Sequence, residues 1–190
     1  MEREVMWVPW EGPGLEHLRL VTSDRGVVAN GLVIGLEAGR PFRIGYEIRC
    51  DRLGRVRAVR AGAPDLGRPV LELFADGEGH WKWRSGEPLP ELDGCIDVDI
   101  STTPFTNTLP LRRLGLKPGE VQELAVAYIS VPELLIGPER QRYGCLEAQE
   151  EDGGLSRFEA LPSGFTVELP VDADGLVIDY PGLFRRVWSE

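Results

Sequence analysis

Cys95, Asp97 and Asp99 alternate with Ile96, Val98 and Ile100 in a short apolar-polar run. On a β-strand, residues two apart share a face and lie about 6.5 to 7 Å apart, because the chain rises about 3.3 Å per residue. That spacing overlaps the separation of roughly 6.5 to 9.5 Å between the two carboxylates of an inverting glycosidase. The run therefore admits a hydrolase for glycosides or esters, with Asp97 and Asp99 as the working acids and Arg112 stabilising developing negative charge. The competing reading is architectural. If this face turns inward, ionised carboxylates need partners to offset desolvation, and Arg112 and Arg113 are the candidates. Arg113 is read as a structural partner, and Arg112 either as one or as a contact for an anion.

Other residues offer binding rather than catalysis. Arg55 and Arg57 share a strand face with Arg60 near its end, and a guanidinium fork suits phosphate, carboxylate or a sugar acid. A solvated sheet face explains the same pattern. Trp81 and Trp83 share a face beside a hairpin tip, where aromatic surface could meet a sugar ring or acyl chain; core packing is the alternative. His17 and His80 are the only histidines. No G-x-S-x-G elbow accompanies them, and Cys95 or Cys145 lacks the signature of a nucleophile. One thiol, two carboxylates and two distant imidazoles make an uneven metal set, so neither metal nor cofactor is expected.

The elements that position these groups are strands. In Phe42 to Cys50 the residues Phe42, Ile44, Tyr46, Ile48 and Cys50 fall on one face and Arg43, Gly45, Glu47 and Arg49 on the other, the mark of a half-buried strand. Val70–Phe74 and His80–Arg84 flank Asp76-Gly-Glu-Gly79, a hairpin signal. Further strands are expected near 5–8, 15–21, 27–36, 95–100, 121–130, 165–169 and 176–180, with Asp172-Ala-Asp-Gly175 joining the last two. The stretch Thr103 to Leu114 alone breaks the alternation and is the one helix candidate. Thr103 would cap it with Pro104 in the first turn. Alternatively, because an interior Pro110 costs about 3 kcal/mol, the helix would start late, at Pro110 itself.

Composition bounds the rest. The 190 residues suit a single domain, and 42% hydrophobic with 27% charged residues place the chain among globular proteins rather than disordered ones. Apolar runs are far shorter than the roughly 20 residues of a membrane span. A net charge of -10 argues against nucleic acid as a partner, although seven arginines between Arg40 and Arg60 face only Glu47 and Asp51 there. The acidic N-terminus lacks the pattern of a secretory signal. Three widely spaced cysteines are poorly suited to a disulfide framework, so reduced thiols and a cytoplasmic setting are expected.

Several phrases together carry a resemblance: Trp7, Gly12-Pro-Gly-Leu-Glu16 and Arg19-Leu20; Tyr46-Glu-Ile-Arg-Cys-Asp51; Arg57-Ala-Val-Arg60; Asp76-Gly-Glu-Gly-His-Trp81; Leu92-Asp-Gly-Cys-Ile-Asp-Val-Asp99; Thr103-Pro-Phe-Thr-Asn107; Leu109-Pro-Leu-Arg-Arg113; and Val171-Asp-Ala-Asp-Gly-Leu-Val-Ile-Asp-Tyr-Pro-Gly182. In order and over nearly the whole chain, they resemble the glycolipid-binding family of bacterial proteins formerly classed as a domain of unknown function. The resemblance implies a mainly β fold, a spiral β-roll in which a long antiparallel sheet of about 15 strands wraps around a single α-helix, and homodimers. It departs in two places. Arg52-Leu53-Gly54 stands where a tryptophan and a small hydroxyl residue are expected, and Gln141 to Arg157 lacks an aromatic and arginine-rich pattern.

The leading expectation is a non-catalytic protein that binds a glycolipid or another amphipathic small molecule, with Arg55, Arg57, Trp81, Trp83, Asp97, Asp99, Asn107, Arg112 and Arg113 as candidate contacts. The alternatives are the hydrolase described above and a dimeric interaction module without a small ligand.

Overall fold

A computed structural model describes residues 1–63, 67 and 70–190. Seven strands, β1 (Glu2–Pro9), β2 (Leu15–Ser23), β3 (Gly26–Glu37), β4 (Arg40–Cys50), β5 (Val56–Gly62), β6 (Val70–Ala75) and β7 (Trp81–Trp83), follow one another as an antiparallel meander. The chain then crosses to β8 (Asp97–Ile100), α1 (Phe105–Leu114) and β9 (Val121–Ile129). β8 and β9 pair in parallel, and parallel neighbours need a crossover, which α1 supplies. A second meander continues through β10 (Ile136–Glu150), β11 (Gly153–Ala160) and β12 (Phe165–Val171), after which β13 (Asp179–Tyr180) and β14 (Phe184–Ser189) return to pair beside β1.

The protein is mainly β, as expected. Among the described residues the strands divide into a nine-stranded sheet, β13-β14-β1-β2-β3-β4-β5-β6-β7, and a five-stranded sheet, β12-β11-β10-β9-β8, rather than forming one continuous sheet of about 15. The parallel β8–β9 pair corrects the expectation of a wholly antiparallel arrangement.

Alternation placed most strands correctly because one face of each is apolar. In β4, Ile44, Tyr46, Ile48 and Cys50 are buried in phase. The expected hairpin forms, with Leu73 opposite Trp83 and Ala75 opposite Trp81. The Asp172 turn also forms, its Oδ1 accepting from the N–H groups of Asp174 and Leu176. β10 and β11 were not expected. They run through an acidic stretch whose outward charges interrupt the apolar pattern, while Tyr143, Phe158 and Ala160 on their inward faces join a buried apolar cluster.

The helix takes the earlier of the two anticipated starts. Pro104 already has helical dihedrals, φ -71° and ψ -15°, and the Thr103 hydroxyl accepts from the Phe105 N–H at 3.0 Å, an N-cap contact. Pro110 lies inside the helix, and Gly115 ends it in the left-handed region at φ 55°. Residues 105 to 110 are all buried. Phe105 and Leu109 join the core beneath the larger sheet, whereas Leu111 and Leu114 pack against the smaller core of Tyr143, Phe158 and Leu169. Tertiary burial on two sides thus outweighs the interior proline. No helix among the described residues is long and apolar enough to cross a membrane.

Candidate functional site

β2 buries Glu16, Leu18 and Leu20 in phase, so a carboxylic acid occupies a position that alternation reserves for core. Only 2% of Glu16 is exposed. Tyr46 Oη donates to its Oε1 at 2.5 Å and Thr103 Oγ1 donates to the same atom at 2.6 Å. Oε2 is buried with no hydrogen-bond partner among the described residues. Burial pushes the Glu16 carboxyl up to about 7, against the opposing effect of those two hydrogen bonds. The local backbone is shaped to hold this cluster: Gly31 lies opposite Tyr46 across the β3–β4 ladder, and a Cβ there would approach the tyrosine ring to 2.1 Å. Glycine in mid-strand is what lets the ring lie against the backbone.

Glu16 belongs to the lining of a cleft of about 570 Å³. Trp7, Pro9, Pro13, Val33 and Phe42 supply apolar wall, and Ile34, Leu36 and Leu183, each more than two-fifths exposed, supply apolar rim. Ser101, Leu183 and Phe184 also line an adjoining cleft of about 220 Å³ that contains Asp99, Asn107, Tyr128 and Glu139 together with Phe158, Phe165 and Tyr180. Tyr180 stands 6.1 to 6.3 Å from the rings of Phe158, Phe165 and Phe184, within the range of favourable aromatic contact. The two clefts meet where the start of α1 lies between the sheets. Together they offer a long apolar surface with a carboxyl group at the base of each part, the arrangement of a site for a molecule with both apolar and hydroxyl-rich portions.

The acids expected to do chemistry are arranged differently. Asp97 is fully buried, and Arg113 engages both of its oxygens at 2.6 to 3.1 Å. It lines none of the clefts described. Asp99 accepts from Thr106 Oγ1 at 2.8 Å and from Gln141 Nε2 at 2.7 Å. Burial raises its carboxyl, and raises Glu139 with help from the Asp99 charge. Asn107 donates to Pro104 O, while its Oδ1 and Gln141 Oε1 lie 3.0 and 3.1 Å from Tyr143 Oη, which can donate to either. Asp97 and Asp99 therefore work into separate networks and do not face a common substrate space.

The remaining expected residues are dispersed. Arg55 and Arg57 reach Asp51 at 3.0 and 3.5 Å, and Arg57 also donates to Ala75 O; Arg60 pairs with Glu72 at 3.0 Å. The cationic stripe is thereby largely neutralised, by Asp51 within the same stretch and by Glu72 on the neighbouring strand. Trp81 is 2% exposed and donates to Cys95 O at 2.7 Å, which corrects the expectation of an exposed aromatic contact there. Trp83 is half-buried against the same core. Arg112 is exposed and has no carboxylate within ion-pair distance among the described residues, so of the adjacent arginines Arg113 is the one that fastens helix to sheet. Glu16 was missed, although its phase with Leu18 and Leu20 was a legible signal.

These features define a class: a two-sheet β protein with one crossover helix and a polar-based apolar groove at the start of that helix. The chain matches the family model described as "Putative glycolipid-binding" over residues 4–186 and belongs to that family. It is also similar to a solved structure, a DUF1089 family protein from Pseudomonas aeruginosa, with 39% sequence identity and a TM-score of 0.82 over 94% of this chain and 95% of that one. No curated protein matches it.

Proposed function

We propose that the protein binds an amphipathic, hydroxyl-bearing small molecule, a glycolipid by the family's description, in the groove between its sheets and does not transform it. The observation that carries this reading is the Glu16 carboxyl, sealed at the base of an apolar cleft with one oxygen left unpartnered. Buried polar atoms are nearly always satisfied, so an orphaned one at a cleft calls for an explanation. A ligand hydroxyl supplies the missing partner, the apolar wall takes the chain, and the aromatic cleft beside Asp99 and Glu139 suits a sugar ring. The two sheets then act as turns of one spiral β-roll wound about α1, in a single domain over 1–190. A homodimer and a cytoplasmic setting belong to the same proposal; three buried, unpaired cysteines favour a reducing compartment.

Titration with decyl glucoside, followed by isothermal calorimetry, tests this reading. Saturable binding that weakens at least about tenfold in Glu16→Gln is expected, the order of one lost hydrogen bond to a charged or buried group. Absence of binding to alkyl glycosides and extracted bacterial glycolipids, or affinity indifferent to Glu16, overturns it. Size-exclusion chromatography with light scattering reads the oligomeric state.

A further inference from the structure

Along α1, from Phe105 to Arg113, lies a third pocket, of about 540 Å³, that shares no lining residue with the groove. The helix forms one wall, the β2–β3 turn at Ser23 to Gly26 a second, and the β4–β5 turn at Cys50 to Gly54 a third. Val27, Phe105 and Leu109 give it an apolar interior. Arg52 and Arg112 are exposed at its edge.

These arginines differ from their neighbours. Arg55, Arg57, Arg60 and Arg113 all have acidic partners; among the described residues, Arg52 and Arg112 have none within ion-pair distance. The nearby acids are engaged elsewhere. Asp51 accepts from the backbone N–H groups of Leu53 and Arg55 and from the Arg55 side chain, and Asp97 is held by Arg113. Exposed Asp24 is the remaining acid of the lining, which leaves two guanidinium groups against one carboxylate. The wall also contains Thr22 and Thr108, whose hydroxyl oxygens are buried without hydrogen-bond partners among the described residues. Thr108 is 1% exposed. An apolar interior, uncommitted guanidinium groups and hydroxyls with unused bonding capacity are what a molecule with an apolar body and an oxyanion head requires.

We propose that this pocket is a second binding site, for a small amphipathic oxyanion: a carboxylate or phosphate attached to a short apolar chain. The head group lies on Arg52 and Arg112, and the chain passes inward over Val27 and Leu109. This site stands on its own observations and does not depend on the groove.

Decanoate and decyl phosphate are the probes, with decyl glucoside as the neutral control, titrated by calorimetry against wild type, the double variant Arg52→Ala/Arg112→Ala and Glu16→Gln. At least one anion is expected to bind with an affinity that falls as salt rises, and to lose at least tenfold in the arginine double variant but not in Glu16→Gln. Binding of decanoate alone assigns a carboxylate site, and of decyl phosphate alone a phosphate site. No saturable binding of either anion, or binding undiminished by the double substitution, overturns the proposal. Both arginines are exposed, so circular dichroism of the double variant should match wild type. Thr108→Val, with an expected several-fold loss, gives an independent reading of the pocket wall. A response of decyl glucoside to Glu16→Gln with no anion binding would sink this site and leave the groove standing.

Discussion

Two buried carboxyl groups, Asp97 bonded to Arg113 in the last turn of α1 and Glu16 bonded to Thr103 just before its start, have opposite surroundings. Asp97 is enclosed by protein and both its oxygens are matched by one guanidinium. Glu16 is equally sealed, yet its two hydroxyl partners bond the same oxygen and the other has none. The first pairs helix with sheet; the second leaves bonding capacity beside a cleft. Burial alone does not distinguish an architectural acid from a functional one. The completeness of its hydrogen bonding and the space beside it do.

The largest expected effect breaks the Asp97 side of this contrast. Arg113→Met leaves a buried, unpaired carboxylate and should destabilise the fold by about 3–5 kcal/mol, read from urea unfolding. The double change Asp97→Leu/Arg113→Met should recover most of that loss, since the penalty arises from the stranded charge rather than from absence of the pair.

Next comes the pH response of Glu16. Its folded-state value is raised to about 7 from 4.5, so between these values the unfolded chain releases a proton that the folded chain retains. The unfolded state then binds fewer protons, and stability falls as pH rises. The contribution of Glu16 is fully present below about pH 4.5 and is lost by about pH 7, a change of about 3 kcal/mol. The difference in unfolding free energy between wild type and Glu16→Gln, compared at pH 4.5 and 7.5, should move by that order in favour of the variant at higher pH. A difference that stays flat across the window would place Glu16 in a more hydrated setting than its burial indicates.

Two changes sharpen the Glu16 side. Gly31→Ala drives a Cβ against the Tyr46 ring and should cost about 1–3 kcal/mol through forced displacement. Tyr46→Phe removes one of the two donors to Oε1 and should cost about 1 kcal/mol, while moving the Glu16 pH window upward. The smallest effect belongs to the exposed sheet face: Arg60→Ala, which breaks the pair with Glu72, should change stability by less than about 1 kcal/mol. A larger loss would show that the arginine stripe is part of the architecture.

Much of this molecule was legible because each strand carries its own record of burial. Period-two alternation located β4 and the β6–β7 hairpin, and Thr103-Pro104 announced the start of α1. β10 and β11 escaped because their outward charges obscure the pattern and their pairing partners are other strands. Pro110 set local propensity against a helix that is packed on both sides, and packing prevailed. The acids at 97 and 99 were visible as a pair by spacing, but spacing along a strand does not say what lies across from it: Arg113 reaches one, and Thr106 and Gln141 reach the other.

The sequence by itself determined the β character, the place of the α-helix, and the residue types available for binding, since these depend on local periodicity and composition. Only the tertiary structure decided which polar groups are complete and which are left wanting a partner. Hydrogen bonding and burial are properties of contacts between distant segments: Thr103 reaches Glu16 across 87 positions, and no local pattern along either segment specifies that contact.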